Sequence, residues 1–337
     1  MTRGASGESL ITKKGRIEMV RLRKLFLGTL MLMLVLSLAA CGSSANTAQD
    51  DSASQEGEEI VVKHQLGETK VKKNPKNVVV FDFGVLDSLD KLGVEVAGVP
   101  QANVPPYLKK YGAGDYANVG SLKEPDFEKI SSLGPDLIII SARQSDQYEE
   151  FSKIAPTIFM GVDTSRYMES FTENMETLGK IFGKEAEVEK ELKAINETIE
   201  KVKEKASASD KKALIILTTG GKTSAYGPGS RFGLIHDVLG VKPVDKNIKA
   251  ATHGMSVSFE YIAEKNPDYL FVIDRDQVVS GEGGQPAEQV LNNDLVKGTK
   301  AYKDKNIVYL DPNYWYLSGG GLVSLGEMVK EVEAALP

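Results

Sequence analysis

A segment of 17 residues occurs twice in this chain, 132 positions apart: FEKISSLGPDLIIISAR at 127–143 and FEYIAEKNPDYLFVIDR at 259–275. The copies share Phe127/Phe259, Glu128/Glu260, Ile130/Ile262, Pro135/Pro267, Asp136/Asp268 and Arg143/Arg275. In each, a helical pattern gives way through a Pro-Asp turn to an apolar run of strand length, and the run ends in Arg. A chain that builds the same helix, turn and buried strand twice is expected to fold as two related α/β lobes. Ligands of open parallel sheets sit beyond the carboxyl ends of the strands. Arg143 and Arg275 are therefore expected to face one shared cleft, one cation from each lobe.

The rest of the chain fits that frame. Apolar strand candidates at 78–81, 94–99, 137–140 and 158–159 alternate with helical stretches and place a first lobe at 60–165. Residues 166–205 carry one long helical periodicity, with Leu178, Ile181, Val188, Leu192, Ile195, Ile199 and Val202 on one face and opposite charges three or four apart on the other. This reads as a single long linking helix, with Gly183 a candidate interruption, and a stiff linker implies only small lobe movements. The second lobe follows at 206–337.

At the other end, Arg21, Arg23 and Lys24 precede the apolar stretch from Leu25 to Ala40, which stops at Leu38-Ala39-Ala40-Cys41. The stretch is shorter than the roughly 20 residues a spanning helix needs and ends in small residues, so 1–40 reads as a signal peptide. Met19, directly before the basic segment, is an alternative translation start. Leu-Ala-Ala-Cys is similar to a bacterial lipobox, which makes Cys41, the only cysteine of the chain, the expected lipidated residue. The segment 41–59 is too polar to pack and reads as a flexible tether. Without 1–40, which hold seven basic and two acidic residues, 34 basic residues face 45 acidic ones. An acidic surface of this kind argues against nucleic acid as a partner.

Against that acidic background, arginine is scarce. Beyond residue 40 it occurs only at Arg143, Arg166, Arg231 and Arg275. Arg231 lies in Gly227-Pro228-Gly229-Ser230-Arg231-Phe232-Gly233, ahead of an apolar helical pattern, where glycines let the backbone approach a ligand. Arg143, Arg231 and Arg275 are thus three anion contacts, and Arg suits them because its planar fork meets delocalised oxygen anions and stacks on rings. Lys123 before the first repeat is a candidate fourth cation. Tyr226, ending the strand before the Arg231 loop, and Trp315 and Tyr316, within Tyr314-Trp315-Tyr316, are candidate aromatic walls. Enzyme readings find little support. His64, His236 and His253 share no metal-ligand spacing, no cysteine pair exists, and no nucleophile and base stand out. No cofactor and no protein-held metal are expected.

Glu128 and Glu260 open the repeated helices, where a carboxylate suits the helix dipole. They also form a pair, one per lobe, that could address a two-fold partner. The lipobox, paired lobes, linking helix and these glutamates together resemble the lipoprotein receptors of bacterial ABC importers for iron siderophores and cobalamin. KNPKNVVVFDFG, VGSLKEPDFEKI, PDLIIISARQS, GPGSRFGLIHDV and YLSGGGL, spread from residue 73 to 322, are similar to the branch that takes petrobactin and related catecholates in Bacillus. The resemblance implies a class III substrate-binding fold of two Rossmann-like lobes with the ligand cleft between them. It further implies a ferric siderophore as transported ligand, with iron held by the siderophore, and a dimeric ABC permease with its ATPase as partner, docked through Glu128 and Glu260. Anchorage through Cys41 on the extracytoplasmic face of a Gram-positive cell membrane is implied too. Another iron chelate, such as a hydroxamate or haem, and cobalamin remain alternative ligands.

Overall fold

The computed structural model describes residues 57–279 and 284–337; the signal segment, Met19, Cys41 and nearly all of the tether lie outside them. Among the described residues, no helix is long and apolar enough to cross a membrane.

The strands are β1 Glu59–His64, β2 Gly67–Lys72, β3 Val78–Val80, β4 Gly98–Val99, β5 Ala117–Asn118, β6 Leu137–Ile140, β7 Thr157–Phe159, β8 Lys212–Thr219, β9 Lys222–Tyr226, β10 Lys242–Pro243, β11 Met255–Val257, β12 Tyr269–Asp274 and β13 Ile307–Leu310. The main α-helices are α1 Phe83–Lys91, α2 Phe127–Leu133, α3 Tyr167–Phe182, α4 Glu185–Ser207, α5 Phe259–Lys265 and α6 Leu322–Ala335.

The first lobe holds a parallel sheet in the order β5-β4-β3-β6-β7. Its central strands are buried throughout, which is why they read as unbroken apolar runs. The hairpin β1-β2 lies beside β7, where the Thr69 hydroxyl donates to the Thr157 carbonyl at 2.8 Å. The second sheet runs β11-β9-β8-β12-β13, with β10 also against β8. Here β10, β8, β12 and β13 are parallel, and β9 runs antiparallel to both of its neighbours, β8 and β11. The return from β8 to β9 takes only Gly220 and Gly221, at φ 55° and 73°. Both positions need left-handed backbone, and this is the tight hairpin that glycine pairs make.

The repeat forms one structural unit per lobe, α2 with β6 and α5 with β12. Each helix ends in a left-handed residue, Gly134 at φ 56° and Asn266 at φ 42°. Each repeated Asp then holds the start of the neighbouring strand. The Asp136 carboxylate accepts from the amides of Lys76 (3.0 Å) and Asn77 (2.9 Å), and that of Asp268 accepts from the Lys212 amide at 2.9 Å.

One feature departs from expectation. The single linking helix is two helices, because Gly183 takes left-handed backbone (φ 62°, ψ 42°) and ends α3 before α4 begins. The C-terminal helix α6 packs on α4 and also on α1 of the first lobe. At its N-terminus the buried Asp87 carboxylate accepts from the amides of Val323 (3.2 Å) and Ser324 (3.0 Å), and Ser88 Oγ accepts from the Leu322 amide at 2.9 Å. A Cβ on Gly84 or Gly321 would collide with backbone of the other segment, so this seam is closed at glycine distance. One apolar core accordingly runs from Val80 through Phe171, Leu178 and Ile199 to Ile215, Phe271 and Met328. Smaller cores cover the opposite sheet faces, Ile138 with Phe151 and Leu270 with Val272.

Candidate functional site

The helix, turn, strand order of each repeat puts the N-terminus of the helix and the C-terminus of the strand at the same end of its lobe. At that end β6 delivers Arg143, β12 delivers Arg275, the loop after β9 delivers Arg231, and β13 runs into a π-helical turn, Asn313–Ser318, that carries Tyr316.

The three arginines meet on Tyr316. Their guanidinium carbons lie 6.0 Å (Arg143), 4.4 Å (Arg231) and 5.7 Å (Arg275) from the centre of its ring, within the range where cation and ring attract. The backbone takes part as well. Arg143 Nη2 donates to the Tyr316 carbonyl at 2.7 Å, Nη1 reaches the Leu317 carbonyl at 3.4 Å, and Arg231 Nη2 donates to the same Tyr316 carbonyl. The turn ends at Gly319, left-handed at φ 40°, so carbonyls that would continue a helix stay free for the two guanidiniums. Arg275 approaches from the other side. Its Nε donates to the Tyr316 hydroxyl and its Nη1 to Thr219 Oγ1, both at 2.9 Å.

These contacts set the electrostatics. Burial pushes the Tyr316 phenol up, but the hydrogen bond from Arg275 and the charges of Arg231, Arg275 and Arg143 outweigh it and bring the phenol below its ordinary value. Burial, followed by the nearby Arg143 charge, pulls the Arg231 guanidinium below its ordinary value. Only Arg275 of the three has a carboxylate partner among the described residues, Asp276 at 3.6 Å. Arg143 and Arg231 make no ion pair there. Arg166, the remaining arginine, is bound instead to Asp163, Glu169 and Glu173 on the surface. Half-buried cations without counterions, sharing one aromatic ring, suit an anion with aromatic faces.

Comparison with known proteins identifies the family. Residues 78–314 match the model of the family described as periplasmic binding protein. The chain belongs to the periplasmic binding protein family. It is 54% identical over 319 residues to the petrobactin-binding protein YclQ of Bacillus subtilis, covering 94% of this chain and 99% of that protein. The crystal structure of YclQ superposes with a TM-score of 0.80 at 59% identity, over 82% of this chain and 98% of that one. The catecholate-siderophore binding protein VctP of Vibrio cholerae gives a TM-score of 0.79 at 38% identity, over 82% and 100%. The fold is accordingly the mixed α/β fold of class III periplasmic binding proteins.

Two of the expected aromatic walls are buried in this structure. Trp315 is 1% exposed; its Nε1 donates to Glu331 at 2.7 Å, which pins it to α6 and away from the arginines. Tyr226 is 2% exposed and sits edge-on to Phe232 with ring centres 4.6 Å apart. It supports the residue next to Arg231 from below. Lys123 is exposed and its side chain makes no hydrogen bond or ion pair among the described residues. Its loop is tied to the Arg143 segment through Gln144, whose Nε2 donates to the Leu122 carbonyl at 2.5 Å.

Sequence reasoning missed four participants. Thr219 and Asp276 brace Arg275. Tyr107 stacks near Tyr314 with centres 4.9 Å apart, shares a 2.6 Å hydrogen bond with Ser318 and donates to Asp87 at 3.1 Å. Burial pushes the Asp87 carboxyl up to about 7. A readable signal existed only for Asp276, which adjoins the repeat. Glu128 and Glu260 are both exposed in the first turns of α2 and α5, and a hydrogen bond from Ser258 holds the Glu260 carboxyl below its usual range.

Proposed function

We propose that this chain is an extracytoplasmic solute-binding lipoprotein that captures a ferric catecholate siderophore of the petrobactin type and hands it to an ABC permease. The observation that carries the reading is the convergence of Arg143, Arg231 and Arg275 on the Tyr316 ring, two of them without a counterion among the described residues. Catecholate chelates of iron are anionic and present aromatic rims, so the same three side chains meet both properties by charge and by stacking. The likeness to a petrobactin-binding and a catecholate-siderophore binding protein supports it. Uncharged hydroxamates make less use of three arginines, and Lys123, exposed on the loop that Gln144 ties to the Arg143 segment, is the candidate fourth cation.

The deciding experiment titrates the purified protein with ferric catecholate, ferric hydroxamate, haem and cobalamin, following intrinsic fluorescence. Preferential binding of the ferric catecholate is expected; tighter binding of cobalamin or haem would sink the reading.

Delivery rests on Glu128 and Glu260 as the docking pair for a dimeric permease with its ATPase, and anchorage on a lipid at Cys41. Exchanging both glutamates for Arg is expected to abolish iron uptake by cells and leave the affinity of the purified protein intact. Cys41→Ala is expected to release the protein from the membrane fraction.

A further inference from the structure

The residue after the repeated Arg differs between the copies. It is Gln144 in the first and Asp276 in the second, and both are buried, at 0% and 5% exposure. Both tie a loop. Gln144 binds the Leu122 carbonyl through Nε2 and accepts from the Ser141 amide through Oε1 at 3.2 Å. Asp276 accepts from Thr219 Oγ1 at 3.0 Å and from the Gly220 amide at 2.6 Å, fixing the β8-β9 turn. A neutral amide thus does in the first lobe what a carboxylate does in the second. Loop tying does not call for the negative charge, and burying that charge is costly unless a cation sits beside it. The cation beside it is Arg275, 3.6 Å away.

We propose that Asp276 is a specificity-determining residue, a built-in counterion of Arg275 that lowers the positive charge the cleft presents and tilts its preference towards chelates less negatively charged than a ferric tris-catecholate. The inference rests on the reading that the cleft takes an anionic iron chelate. With Asp276 in place, three guanidiniums meet on Tyr316 and one carboxylate stands beside one of them; without its charge, the full field of three cations remains. Shared Thr219 explains how the pair stays in register, since its hydroxyl accepts from Arg275 and donates to Asp276.

The test is Asp276→Asn, which keeps the shape and the oxygen that accepts from Gly220, turns an amide donor towards the Thr219 hydroxyl, and removes the charge. Wild type and variant are titrated at low salt with a trianionic ferric tris-catecholate and an uncharged ferric trihydroxamate. Affinity for the trianion should rise about three- to tenfold, with a steeper salt dependence, and that for the neutral chelate should stay unchanged. Equal changes for both chelates, or none for the trianion, overturn the proposal. A second readout needs no ligand. The Tyr316 phenol, followed by NMR of ring-labelled tyrosine and assigned with Tyr316→Phe, should titrate about half a unit lower in the variant. An unchanged or higher midpoint overturns the proposal too. A wild type that binds no ferric catecholate defeats the functional reading, and the phenol titration still decides the role of Asp276.

Discussion

The two copies of the repeat do the same structural work with the same residues and different chemical work with their last one. Asp136 and Asp268 both anchor the strand beside them, and Gly134 and Asn266 both turn the chain in left-handed backbone. Arg143, however, reaches into the second half of the chain and spends its donors on the Tyr316 and Leu317 carbonyls. Arg275 stays in its own lobe, held by Thr219, Asp276 and the Tyr316 hydroxyl. Duplication supplied two equivalent scaffolds, and divergence made one arginine a bridge and the other a braced wall.

The largest expected effects break this comparison at the arginines. Arg143→Ala should weaken ferric catecholate binding by about 2 to 5 kcal/mol, the range for truncating a buried charged partner, measured by fluorescence titration. Arg275→Ala should cost as much, because it leaves the Asp276 carboxylate facing an anionic ligand. Combining it with Asp276→Asn should restore part of the loss, and a double-mutant cycle reads that coupling directly. Purely additive effects would mean that Arg275 and Asp276 act independently.

Smaller effects test the shared scaffold. Asp136→Ala and Asp268→Ala should each lower stability by about 1 to 2 kcal/mol in urea unfolding, with Asp136 costing more because it holds two amides. Hydrogen bonds from the backbone keep the folded Asp136 carboxyl below its ordinary 3.8. Its contribution is therefore complete above that value and disappears as pH falls through the lower folded one, so the deficit of Asp136→Ala against wild type should shrink in acid. Smallest of all, Gly134→Ala should cost up to about 1 kcal/mol and Asn266→Gly should be neutral or stabilising by a few tenths, since both sites need positive φ.

A seam outside the repeat also has a pH signature. Burial raises the Asp87 carboxyl to about 7 from 3.8, so its ionised form disfavours the folded state and stability falls as pH rises between those values. Melting temperatures across pH 4 to 8, values bracketing about that window, should vary less in Asp87→Asn than in wild type.

Much of this is legible in the sequence. Arg143, Arg231 and Arg275 stood out because arginine is scarce beyond residue 40 and because two of them end apolar runs at the place where parallel sheets meet ligands. The aromatics were less legible. Tyr314, Trp315 and Tyr316 are adjacent, and a π-helical turn decides which one faces the arginines, a choice that composition does not encode. Tyr226 looked equivalent because strand alternation assigns a face without saying that Phe232 and Gly254 cover it. The linker keeps helical periodicity across Gly183, where a left-handed cap closes α3 through the Gly183 and Lys184 amides donating to the Gly179 carbonyl. Asp87 went unnoticed because its partners, backbone amides of α6, have no side-chain signature.

That last contact bears on how the molecule is made. Ser88 and Leu322 are 234 positions apart, yet the seam they form completes the first lobe. The N-terminal portion emerges from synthesis lacking the strap that will cover α1, and non-local pairings of this kind slow folding and leave apolar surface waiting. Maturation is therefore gated by the arrival of the final segment, and trimming the C-terminus should injure the half of the protein that was translated first.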